Sequence, residues 1–103
     1  PLCFVHVLLN SLDMREKGID VAVIIEGAAT KTAAEMAEEG ADFNDLFRQV
    51  KESGLIDCVC RACSNKMGVT ERIERQGLPW GTDMKGHPSM ARYIEEGYEV
   101  ILF

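Results

Sequence analysis

Cys58, Cys60 and Cys63 place three of the chain's four thiols in the run C-V-C-R-A-C. Leu55 to Cys60 (LIDCVC) has strand composition, and Ala62 to Met67 has helical composition closed by Gly68, so a strand hands over to a helix at the cysteines. Residues two apart on a strand share a face; Cys58 and Cys60 therefore point the same way, while Cys63 falls in the first turn of the helix. A thiol at a helix N-terminus meets unpaired N–H groups and the positive end of the dipole, which favour the nucleophilic thiolate. Arg61 and Lys66 add positive charge nearby. Cys60 is the leading candidate nucleophile and Cys63 the second. Cys58, deeper in the strand, reads as a small core residue, as does Cys3.

The same three cysteines are also soft metal ligands. A closed metal site needs a fourth ligand, for which His87 is the candidate, and it usually draws on two separated ligand pairs. Only one compact group is present, so no metal is expected, and no cofactor is called for. A structural disulfide is disfavoured by the tight spacing and by a reducing compartment. His87 lies in the run G-H-P-S at an expected helix start. There it serves either as acid, base or hydrogen-bond donor beside a thiolate, or simply as part of a turn and cap. Glu26 and Gly27 close a strand, and Trp80 and Met84 either wall a pocket or pack in a core. His6 reads as a packing or boundary residue.

The elements that position these residues follow from periodicity and punctuation. Leu2, Val5, Leu9 and Leu12, widened by Leu8, give a helical stripe from Leu2 to Lys17, stopped at Gly18. A strand at Cys3 to Leu9 is the rival reading, but adjacent Leu8 and Leu9 break its alternation. DVAVIIE, Asp20 to Glu26, is β-branched and bounded by glycines, as a buried parallel strand should be. Thr30 is expected to cap a helix over Lys31 to Glu39, and a second helix runs from Asp42 to Gly54. After the cysteine turn come a helix from Thr70 to Gly77, with Glu71 and Arg75 spaced as an i, i+4 pair, and a short strand or extended turn over Leu78 to Asp83. A helix over Met90 to Glu96 and a final strand, Tyr98 to Phe103 (YEVILF), complete the chain. Alternating strands and helices imply a parallel sheet covered on both faces, with ligand sites at the carboxyl ends of the strands. Glu26 and Gly27, Cys58 to Cys63 and the loop before His87 then share one rim.

The 103 residues suit a single domain. A net charge of -6 opposes nucleic acid, which needs clustered Lys and Arg. The apolar runs are far shorter than the roughly 20 residues of a bilayer span. With no signal-peptide pattern, the cytoplasm is the expected compartment. The chain opens on Pro1 and enters its first apolar segment at once, so a segment upstream is expected.

Glu26-Gly27 after the first visible strand, C-x-x-C at the next strand-to-helix turn, Gly68 closing that turn, and D-M-K-G-H-P-S followed by YIEEGYEVILF together resemble the DsrE/DsrF-like family. The similarity covers nearly the whole chain. It implies a three-layer flavodoxin-like fold, often assembled into trimers or hexamers, and sulfur relayed as a cysteine persulfide between donor and acceptor proteins. The family's reactive cysteine matches Cys60, with Cys63 as a second carrier or resolving thiol and Glu26, Gly27, Trp80 and His87 lining the site. Family members begin with a central strand before the helix placed here at Leu2, so the resemblance also implies that the first strand is missing from this sequence. Two other uses of the same residues stand beside this one: a thiol–disulfide oxidoreductase built on Cys60 and Cys63, and a non-catalytic metal-binding or assembly module.

Overall fold

The computed structural model describes residues 2–103. Helix α1 (Leu2–Glu16) leads to strand β1 (Val23–Ile25), helices α2 (Ala29–Met36) and α3 (Asn44–Glu52), and strand β2 (Ile56–Cys60). Then follow α4 (Arg61–Met67), α5 (Thr70–Arg75), the two-residue strand β3 (Trp80–Gly81) and α6 (Met90–Glu95). The three strands form one parallel sheet in the order β1-β2-β3, with Ile25 opposite Val59 and Cys60 opposite Gly81. This is an α/β architecture consistent with a flavodoxin-like fold. Because the strands are parallel, their carboxyl ends at Ile25, Cys60 and Gly81 lie along one rim.

The core gathers Leu8, Ile25, Phe47, Val50, Val59 and Ile73, each almost wholly buried, and Phe4 stacks on Phe47 at 6.4 Å between ring centroids. Removing a side chain such as Phe47 from water contributes about 1.5–3 kcal/mol. The β-branched run around Val23 to Ile25 is buried enough to need a paired strand, and β2 supplies it.

Several details depart from the sequence reading. Helix α1 is present, but it buries Val5, Leu8 and Ser11, while Leu2 and Leu9 face outward. The Ser11 hydroxyl makes this tolerable by donating to the Leu8 carbonyl at 2.8 Å. Cys3 is exposed rather than in the core. Thr30 lies inside α2 rather than capping it, and its buried hydroxyl donates to the Gly27 carbonyl at 2.8 Å. Among the described residues the ion pair made by α5 is Arg72 with Glu38, not the Glu71 and Arg75 pair that the spacing suggests. The largest departure is at the end of the chain, where residues 98–103 form no strand. Strand composition needs a partner's backbone to pair with, and here YEVILF faces β1 across an apolar groove of about 390 Å³ instead of lying beside it. No helix among the described residues is long and apolar enough to cross a membrane.

Candidate functional site

Cys60 ends β2 and is also the N-cap of α4: its backbone is still extended (φ −63°, ψ 117°) and its sulfur accepts a hydrogen bond from the Cys63 amide at 3.3 Å. The Ser64 hydroxyl donates to the Cys60 carbonyl at 2.8 Å, locking strand end to helix start. The thiol is thus fixed from its own backbone outward.

The opposing wall comes from the loop between β3 and α6. Met84 and His87 exchange backbone hydrogen bonds of 2.7 and 2.9 Å, closing a four-residue turn whose central residues, Lys85 and Gly86, both have positive φ. That is the geometry of a type I′ turn. At Gly86 (φ +90°) an added Cβ would also stand 3.2 Å from the Ala62 Cβ, so glycine is required by both conformation and space. The Gly86 carbonyl accepts from the Ala62 amide at 2.9 Å, docking the turn on the first turn of α4. His87 Nδ1 consequently sits 3.1 Å from the Cys60 sulfur and 3.9 Å from that of Cys63. The three ligand-type atoms lie within 4.8 Å of one another.

Burial grades outward. Cys60 has no exposed surface, Cys63 is half-buried and His87 is exposed. Cys60 is thus the innermost of the three. Burial pushes the Cys60 thiol up to about 11. The Cys63 N–H works in the opposite direction but does not prevail, and the neighbouring Cys63 and Glu26 raise it further. This corrects the expectation that the helix start holds a resting thiolate: desolvation outweighs it. For a reaction that uses the Cys60 thiolate, His87 Nδ1 is the side-chain nitrogen at hydrogen-bond distance from the sulfur.

Residues 7–103 match the sequence pattern of the DsrE/DsrF-like family. The chain belongs to that family. A protein of Methanocaldococcus jannaschii, itself uncharacterised, is 33% identical to this DsrE/DsrF-like chain over 96 residues, covering 93% of it and 76% of the relative. An uncharacterised protein of Archaeoglobus fulgidus is 51% identical over 37 residues, 36% of this chain and all of the relative. No solved structure matches.

Of the residues singled out in the sequence, Cys60, Cys63 and His87 converge. Glu26 and Gly27 lie on the same rim, at the end of β1, with Glu26 exposed and close enough to act on the Cys60 thiol electrostatically. Trp80 flanks the site one residue before Gly81, half-buried against the core, with the Arg61 guanidinium 5.3 Å from its ring centroid. Cys58 stands apart: its buried sulfur faces the Tyr93 hydroxyl at 3.3 Å, and burial raises that thiol too. Gly81 explains how Cys58 fits, because a Cβ there would fall 2.8 Å from both the Cys58 sulfur and the Pro88 Cβ.

The supporting residues escaped the sequence reading. Asp83 accepts from the Ser89 amide at 3.0 Å and from Arg92 Nε at 3.2 Å, bracing the loop that carries His87. Tyr93 donates to Asp57, and burial together with that bond raises its hydroxyl far above the usual tyrosine value. The one local signal was Lys85-Gly86 ahead of His87, a turn pair whose docking partner no local pattern reveals.

Proposed function

We propose that this member of the DsrE/DsrF-like family is a sulfur-relay protein that carries sulfane sulfur as a persulfide on Cys60. The observation that supports it most directly is the meeting of a buried thiol, a surface-side thiol and an imidazole at the sheet rim. His87 Nδ1 takes the Cys60 proton as the sulfur attacks the outer sulfur of a donor persulfide. A new S–S bond forms at Cys60, the donor's S–S bond breaks, and the departing thiolate takes the proton back. No electrons are gained or lost overall. Cys63, nearer the surface, exchanges that sulfur with the acceptor protein's thiol by the same displacement.

In this reading the whole of residues 1–103 acts as one domain, in the cytoplasm, between a donor and an acceptor protein. It works as a homo-oligomer of three or six copies, which light scattering on eluted protein would measure. Intact-mass analysis after exposure to a sulfane donor tests the chemistry. The expected result is the mass of one added sulfur, abolished in Cys60→Ser and slowed about a hundredfold in His87→Ala. Equal loading of Cys60→Ser overturns the assignment. A second reading is favoured by the two sulfurs' proximity: a Cys60–Cys63 disulfide in a thiol–disulfide oxidoreductase. It predicts loss of two hydrogens on mild oxidation and turnover of a disulfide substrate, without retained sulfur.

A further inference from the structure

We infer that Cys60, Cys63 and His87 form a three-ligand site for a single thiophilic d10 metal ion such as Zn²⁺, with the fourth coordination position open to solvent. The inference stands on the geometry and is independent of the relay reading. Zinc bonds of about 2.3 Å to sulfur and about 2.0–2.1 Å to imidazole nitrogen put tetrahedral ligand atoms about 3.5–3.8 Å apart. The two sulfur-to-nitrogen distances here, 3.1 and 3.9 Å, bracket that range. The third edge, between the two sulfurs, is within 4.8 Å, and Cys63 is half-buried.

The surroundings are those of an organised ligand set. The Cys63 N–H already points at the Cys60 sulfur, a bond that stabilises a metal-bound thiolate. His87 offers Nδ1 inward from a turn whose backbone is docked on α4, so ring and thiols come from separate elements held together without the metal. The structure also decides which of the three clustered cysteines takes part. Cys58 is turned to Tyr93, so the set is two cysteines and a histidine rather than the three cysteines that the C-x-C-x-x-C spacing suggests. That resolves the shortage of ligands in the sequence, since three protein ligands with an open position is a stable zinc arrangement in its own right. Binding releases the two thiol protons and changes no oxidation state. An ion held by both sulfurs also blocks their use in sulfur exchange.

The test is a Zn²⁺ titration of reduced, chelator-treated protein in competition with a chromophoric chelator. A Cys3→Ser background removes the exposed thiol. One ion per chain is expected, with affinity falling at least about tenfold in His87→Ala and in Cys63→Ser, and binding lost in the Cys60→Ser/Cys63→Ser double variant. Cys58→Ala should bind as the parent does. Absence of zinc uptake, undiminished uptake by the double variant, or loss on Cys58→Ala overturns the site. Circular dichroism establishes that each variant is folded; should the double variant unfold, the His87→Ala and Cys63→Ser affinities decide. Sulfur loading of the zinc-free protein is measured separately: loading without zinc binding removes the metal site and leaves the relay, and zinc binding without loading does the reverse.

Discussion

The flank of the sheet at β2 and β3 is closed against its neighbours, and the flank at β1 is open. At β2 and β3, Cys60 pairs with Gly81, the His87 turn docks on α4, and there is no room for even a methyl group at Gly81. At β1, the strand shows an unpaired edge among the described residues to an apolar groove walled by Phe4, Val7, Ile24, Val100 and Ile101. Leu102, on the same wall, is 82% exposed. LIDCVC and YEVILF are equally strand-like in composition, yet only the first became a strand. The difference teaches that β composition is permissive and that a backbone partner is decisive.

The sharpest break in this comparison comes from opposite ends of the burial scale. Phe47→Ala, in the closed core, should lower stability by about 3–5 kcal/mol in urea unfolding, from lost transfer energy and the cavity left behind. Gly86→Ala should cost about 1–3 kcal/mol, since it forces positive φ on a residue with a Cβ and presses on Ala62. It should also slow sulfur loading by moving His87 away from Cys60.

The titration of Cys60 sharpens the same contrast. Its folded thiol is held up to about 11 from an ordinary 9.0, so the unfolded chain loses this proton first. The contribution is fully present below pH 9 and is lost as pH rises toward about 11. Urea midpoints across that window should fall, and Cys60→Ser should flatten the fall. Alkylation mapped by peptide mass should label Cys3 first and Cys63 next, with Cys58 and Cys60 slowest; labelling of Cys60 ahead of Cys63 would contradict its burial. At the open flank, Leu102→Ala should change stability by no more than about 0.5 kcal/mol.

Much of this was legible locally. The 3.6-residue spacing of apolar side chains gave α1, the glycine-bounded β-branched run gave β1, and LIDCVC followed by a helical stretch placed Cys60 at a strand-to-helix junction. Parallel connectivity then put Glu26, Cys60 and the His87 loop on one rim. The Asp83, Arg92, Asp57 and Tyr93 bracing was not legible, because its contacts join residues up to 36 apart in sequence and depend on how α6 lies on β2.

By itself the sequence determined the helical and strand-forming segments, the local grouping of the thiols and the rim they occupy, since these depend on spacing and chain direction over a few residues. Only the tertiary structure decided that Cys58 turns to Tyr93, that Cys60 is buried with its thiol pushed up, that His87 reaches it, and that the last segment stays unpaired. Desolvation and strand pairing are properties of what packs around a residue, and those neighbours arrive from distant parts of the chain.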